Sequence, residues 1–323
     1  MSRRIQALLA AALLCIAGAA DAQTWPVRPV KVIVAAGTGL AMDIAARMMS
    51  DTLSRSLGQQ MFVENIPGAS GIVGAQAASR ATPDGYTIFF TVASTMTSNK
   101  FFFKTLPYDA ERDFVPVSLI SDAGPFAVSV NPDLPVKTLP ELIALAKKRP
   151  GELNITSGNR GSILHFTAEW LRSASGIDAT LVHYPGAPQA LTDILGGRVH
   201  AMVDAASGLA GAISGGSIKA LAVASERRLP THPGLPTVAE TLPGFMAMGW
   251  FALMAPPKTP EAIAGKASDD LRTILERPEL KQRFLDLGTY LRPMSPAELA
   301  GFIADQQRIW KPVIAATAAR SSK

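Results

Sequence analysis

Cysteine is almost absent. The 323 residues contain one, Cys15, so no disulfide framework braces the fold and no thiolate zinc site can form. Four histidines, His165, His183, His200 and His232, show neither HxH nor HExxH spacing, which leaves metal ligation without a motif. No GxSxG elbow occurs, so the strand-to-helix nucleophile of the α/β-hydrolases is missing. Nor is there a Lys/Arg run interleaved with aromatics; Arg227-Arg228 and Lys147 to Arg149 read as solvated helix ends. A net charge of +5 helps to attract small anions but is no nucleic-acid footprint. Past residue 22 no stretch reaches the roughly 18 consecutive apolar residues that a membrane span needs.

The apolar run that does exist is at the start. Arg3 and Arg4 form a basic n-region, Ile5 to Ala20 carries no charge, and Ala20-Asp21-Ala22 supplies the small residues of a signal-peptidase site. Residues 1–22 are therefore expected to be a cleavable export signal, with Gln23 first in the mature chain. Cys15 falls inside that leader, and Leu14 before it does not suit lipidation. A thiol-free chain sent to an oxidising compartment must rely on its core. The 48% apolar content can supply one, and a bacterial periplasm fits best.

Short β-like runs alternate with helical patterns, the signature of an α/β fold with largely parallel sheets. Strands are expected at Val30 to Val34, Met61 to Glu64 and Tyr86 to Val92, with a helix from Asp43 that Gly58 closes and another over Ile72 to Ala81. A second set follows. It has strands at Phe126 to Val130, Asn154 to Thr156, Ala179 to Val182, Ala201 to Val203 and Ala220 to Ala224. Its helices are Leu139 to Lys148, Ser162 to Ser173 and Pro188 to Leu195. A third segment, "GFMAMGWFALMAP" (244–256) and two helices around Pro260 to Leu275 and Pro296 to Ile314, lacks strands for a domain of its own and is expected to return to the first unit. The division is thus 23–125 plus 244–323 for lobe 1 and 126–243 for lobe 2, hinged over a cleft.

Three polar loops stand at strand ends. In "SGNRGSILH" (157–165) Ser162 occupies an N-cap position, which presents the N–H groups of Ile163, Leu164 and His165 to an anion, and Arg160 adds a bidentate fork. Ser162 and His165 are also neighbours on a helix, so a secreted hydrolase using them as nucleophile and base is the competing reading. In "VAAGTGLAMD" (34–43) Gly37 and Gly39 resemble part of a dinucleotide fingerprint, but Met42 replaces its third small residue, and Asp43 is expected to cap the following helix. "TVASTMTSN" (91–99) is rich in hydroxyls. Convergence of the three loops on one cleft favours ligand capture.

Over nearly the whole chain after the leader, the residues resemble the Bug or TctC-type extracytoplasmic solute-binding proteins of tripartite tricarboxylate transporters. The resemblance is carried by "WPVRPVKVIV", "GxxxD" followed by "AAR", "LGQQMFVENIPGASGIVGAQAASRATPDGYT", "LPYDAERDFVPVSLI", "NPDLPVKTLPELIALAKKRPGELN", "LTDILGGRVHAMVD", "GSIKALAVASERR" and "LPTVAETLPGF". It implies a two-lobed, type II-like periplasmic binding protein fold that closes over a small organic anion, without cofactor or metal and without catalysis. It also implies delivery to the membrane permease subunits of such a transporter, with no nucleic-acid partner and a monomeric receptor. Presentation of the ligand to a sensor kinase is the variant that the sequence does not separate.

The matching positions are Gly39 and Asp43 in the first loop, Ser94 and Thr95 in the third, and Ser157, Gly161, Ser162 and His165 in the second-lobe loop. Gly186 and Asp204 follow, the latter suited to read an amino or hydroxyl group. Departures are Gly39-Leu40 for a Gly-Gly pair, Met42 for a threonine, Tyr184-Pro185-Gly186 for "YKG", and Arg160 at a position often small or amide. They suggest a ligand with an apolar or aromatic body and a relocated cation.

Overall fold

The computed structural model describes residues 25–225, 227–229 and 232–321; the expected signal peptide lies outside them. Its strands are β1 (Val30–Val34), β2 (Met61–Asn65), β3 (Thr87–Val92), β4 (Val115–Val130), β5 (Asn154–Ser157), β6 (Thr180–His183), β7 (Ala201–Ala205), β8 (Lys219–Val223), β9 (Met248–Ala255) and β10 (Tyr290–Leu291). The helices are α1 (Ala41–Leu57), α2 (Ile72–Ser79), α3 (Ala93–Met96), α4 (Asn99–Phe102), α5 (Leu139–Lys148), α6 (Ile163–Ser175), α7 (Ala187–Leu195), α8 (Ala206–Ser214), α9 (Glu261–Leu275), α10 (Pro278–Asp286) and α11 (Pro296–Ser321).

The strands follow the path β2-β1-β3-β9-β4-β7-β5-β6, with β8 and β10 also pairing β4. β1 is parallel to β2 and β3, and β5 is parallel to β6 and β7. β9 is antiparallel to β3 and β4, and β4 is antiparallel to β7, β8 and β10. The sheets are therefore mixed and not largely parallel. The reason is β4: this 16-residue strand gives its first half to β9 and its second half to β7 and β8, so it runs through both lobes. β9 returns beside it, and Ala247 donates its N–H to the Ala224 carbonyl where the second crossing begins.

Buried side chains explain the layering. Val30, Val32 and Val34 of β1, Phe89 and Phe90 of β3, and Leu253 and Met254 of β9 are sealed in one cluster together with Ala45, Met49 and Leu53 of α1. Those α1 residues recur every four positions, the stripe a helix lays on a sheet. A second, smaller cluster (Ala127, Ala190, Ile194, Met202, Leu209, Ile218, Val223) fills the outer face of the second lobe beneath α7 and α8. α11 spans the two halves: it packs on β4, α4 and α6, with Trp310 edge-on to Trp170 at 5.8 Å between ring centroids.

Candidate functional site

The loops that follow β1, β2 and β3 lie side by side, because Val34 pairs with Asn65 and with Phe90. In the other lobe Ser157 of β5 pairs with His183 of β6, and β7 runs parallel on the opposite side of β5. Each lobe thus brings its strand carboxyl ends to one edge, and the two edges meet. The Ser70 hydroxyl donates to the backbone carbonyl of Arg160 at 3.2 Å. Phe102 and Phe103 close on Gly161, whose φ is +85° and where a β-carbon would stand 3.0 Å from the Phe103 ring. Phe102 also meets His165 and Phe166 edge-on.

In the first loop, α1 begins at Ala41, with Leu40 as its N-cap residue and no side-chain cap. The expectation that Asp43 caps this helix is corrected, since Asp43 lies within the first turn. Its buried carboxylate reaches back to accept the Gly39 N–H (2.9 Å), and also accepts from Arg47 Nε (2.9 Å) and Asn65 Nδ2 (2.9 Å). Burial pushes the Asp43 carboxyl up, but the bonds from Arg47, Gly39 and Asn65 outweigh it and hold the group below the usual carboxylate range. With three internal donors, Asp43 shapes the loop around Gly39 (φ +83°). Leu40 and Ile44 are exposed at the start of α1, and Val73 at the start of α2, so apolar surface surrounds these loops.

The loop after β2 forms the cross-lobe contact. Gly68, Ala69, Ser70 and Gly71 all have positive φ, a run that strains the two non-glycine residues. Asn99 Nδ2 donates to the Ser70 carbonyl (3.3 Å), and a β-carbon on Gly71 would stand 2.8 Å from Thr95 Oγ1. The signal in the sequence was the spacing of glycines around Ala69 and Ser70. The third loop is not open chain: Ser94 and Thr95 sit buried in the one-turn α3. Thr95 Oγ1 and Asn99 Oδ1 are buried with no hydrogen-bond partner. Tyr108 donates to the Thr95 carbonyl (2.8 Å), its own pKa pushed up to about 12 by burial.

In the second-lobe loop, Ser162 is the N-cap of α6 as expected and accepts the His165 N–H at 3.2 Å. The buried Ser157 donates its hydroxyl to the Gly158 carbonyl (3.2 Å), which also accepts from His183 Nδ1 (3.0 Å). His165 Nδ1 accepts the Gly161 N–H (3.2 Å), so the ring proton belongs on Nε2, 4.0 Å from Glu169 Oε1. Burial, reinforced by the neighbouring His183, Arg160 and Arg172 charges, holds the His165 imidazole down to about 4. The hydrolase reading therefore fails on geometry: neither ring nitrogen is engaged with the Ser162 hydroxyl, which caps the helix instead. Arg160 is exposed, and among the described residues no side chain forms a hydrogen bond or ion pair with its guanidinium.

Gly186 is the N-cap of α7 in ordinary extended conformation (φ −179°). Asp204 is the penultimate residue of β7; its Oδ1 accepts the adjacent Ala205 N–H at 2.7 Å, and burial pushes its carboxyl up to about 6. Hollows of about 350 and 570 Å³ lie elsewhere, where the α8 end of lobe 2 and the chain around Leu229 meet Tyr290. They share no residue with the loops above, and the smaller is lined mainly by apolar groups such as Ile213, Leu235 and Leu285. The polar strand ends remain the better candidate for an anion. No group of three or more His, Cys, Asp or Glu suited to a metal ion occurs among the described residues.

Comparison with known proteins decides the family. The profile of the "Tripartite tricarboxylate transporter family receptor" matches residues 45–318. The chain belongs to this family. Like its relatives, this receptor has the fold of the periplasmic solute-binding proteins, which are not enzymes. Protein BugT of Bordetella pertussis is 33% identical over 307 residues, covering 94% of each chain. R. palustris Rpa4515, solved with adipate, superposes with a TM-score of 0.82 at 30% identity over 90% of this chain and 97% of its own. MatC from Rhodopseudomonas palustris, solved with bound malate, gives 0.79 at 30% identity over 90% of this chain and 100% of its own. No helix among the described residues of the receptor is long and apolar enough to cross a membrane.

Proposed function

We propose that this receptor captures a small carboxylate between its lobes and delivers it unchanged to the permease subunits of a tripartite tricarboxylate-type transporter. Lobe 1 is taken as 23–125 plus 244–323 and lobe 2 as 126–243, acting as a monomer in the periplasm after loss of residues 1–22. The single observation that carries the reading is the Ser70–Arg160 contact between strand-end loops of opposite lobes. A ligand seated there touches both halves and so favours the shut state.

The anion is held by N–H groups at the start of α6, by the loop around Gly39, by the hydroxyls of Ser94, Thr95 and Ser157, and by the free Arg160 guanidinium; Gly161, Ser162, His165 and Gly186 shape the second-lobe side. The exposed Leu40, Ile44 and Val73 support a ligand with an apolar or aromatic body. Adipate and malate in the two relatives support the carboxylate class.

Thermal-shift screening of the full chain against mono-, di- and tricarboxylates and aromatic acids tests this. A cognate acid raises the melting temperature with concentration. Failure of every acid at millimolar concentration removes the proposal.

A further inference from the structure

The two hollows beside Tyr290 adjoin, since Pro125, Leu229 and Tyr290 belong to the walls of both. One wall is α8 with the chain after β8; the other is α10, β10 and the middle of α11. The walls touch at Gly288, whose φ is +66° and where a β-carbon would stand 2.1 Å from Ser207 Cβ, so this close approach needs glycine. Beside that contact they leave open volumes of about 350 and 570 Å³.

The two ends differ in chemistry. The smaller hollow is lined by Ile213, Leu235 and Leu285, and Leu285 is 44% exposed, apolar surface that a ligand would remove from water. The acid on its wall, Asp286, is exposed and accepts from Gln282 Nε2 at 2.8 Å; it disfavours a second anion at that end.

The larger hollow is lined by four arginines, Arg227, Arg228, Arg292 and Arg308. Arg228 is bound by Glu240 and Arg308 by Asp305, each at 2.8 Å. Arg292 stands 3.5 Å from Asp122 with its guanidinium over the Phe302 ring. Arg227 is exposed, and among the described residues no side chain forms a hydrogen bond or ion pair with its guanidinium. One cation is thus left uncompensated at the end of an apolar slot.

Volumes of this size, lined by apolar groups with a few polar ones, are those of small-molecule sites. We propose that the two hollows form a second ligand site for an apolar organic monoanion, its alkyl or aryl body among Ile213, Leu235 and Leu285 and its carboxylate or sulfonate on Arg227. A neutral molecule lacks the head that Arg227 takes, and a dianion sets its second charge beside Asp286. The inference goes beyond the capture reading and is independent of it, because none of these residues belongs to the strand-end loops.

The test is fluorescence titration of the full chain with anilinonaphthalenesulfonate, an apolar monoanion whose emission rises when it leaves water. Octanoate then competes with the dye, beside octanol and suberate, which keep the chain length and change the charge. Saturable dye binding is expected, and octanoate should displace the dye at about 10-fold or more lower concentration than octanol or suberate. Arg227→Ala should weaken octanoate binding about 10-fold, the worth of one charge-assisted contact. Leu285→Asp should abolish binding of dye and octanoate, with a melting temperature near wild type because Leu285 is exposed.

Absence of saturable dye binding, or displacement by octanol or suberate as readily as by octanoate, overturns the inference. Octanoate binding left unchanged by Leu285→Asp or by Arg227→Ala overturns it as well. Where Arg160→Ala removes that binding instead, the acid sits at the strand-end loops, and carboxylate capture stands without a second site.

Discussion

Ser70 and Arg160 join the two lobes: the serine hydroxyl donates to the arginine carbonyl oxygen at 3.2 Å across 90 residues of chain. The bond is exposed, so it adds little to global stability; under the proposed closure it belongs to the shut state. Ser70→Ala should therefore weaken carboxylate binding by about 3- to 10-fold, the worth of one net hydrogen bond, with a melting temperature of the free protein close to wild type. Titration and thermal melts of the same sample separate the two effects.

Asp43 works in the opposite way, through stability. Removing a buried carboxylate that three donors address leaves those donors unmet, so Asp43→Ala is expected to cost about 2–4 kcal/mol in urea unfolding. Its native pKa is depressed, so its contribution is present above the ordinary carboxylate value of 3.8. That contribution is lost as pH falls through the lower native value. Acid unfolding of Asp43→Asn should consequently lose part of the wild-type pH dependence below about pH 4.

His165 and Asp204 oppose each other between those limits. The unfolded chain protonates His165 near 6.5 and the native state only near 4, so this group's contribution grows as pH rises through that window. Asp204 is raised from 3.8 to about 6, so its contribution is present below 3.8 and is lost as pH rises toward 6. The two contributions offset each other in the wild type between about pH 4 and 6, so relative to wild type Asp204→Asn should gain stability as pH rises through this range and His165→Gln should lose it. Urea midpoints at the two ends of the range check the signs.

Trp310 ties α11 to the second lobe through Trp170, which in turn stacks on Phe245 at 4.4 Å. Trp310 is fully buried, and Trp310→Ala should cost about 3–5 kcal/mol, the range for deleting a buried aromatic. Thermal unfolding would read this loss directly.

Much of this was legible where local chemistry and periodicity agree. The Leu139–Lys148 helix is bounded as expected, because Thr138 caps it and Glu141 donates its N–H to that threonine; Gly58 and Ser162 closed and opened their helices for the same kind of local reason. The first half of β4 was not legible. Pro116, Gly124 and Pro125 break the strand pattern, and they are tolerated because the pairing with β9 shifts register beside them. Nor was α10, whose only buried residues are Leu280 and Phe284, too few to mark a period. At the site, Ser162 could be placed from its neighbours alone. The role of Asp43 depends in part on Asn65, 22 residues away, and that of Ser70 on a contact 90 residues distant, which no local pattern encodes.

Capture between lobes is tested most directly by amide hydrogen exchange of the full chain with and without the best-binding carboxylate. Slowed exchange is expected at once in residues 37–43 and 68–71 of one lobe and in 157–165 of the other. Protection confined to a single lobe, or found only around the hollow by Ile213 and Leu285, would contradict it.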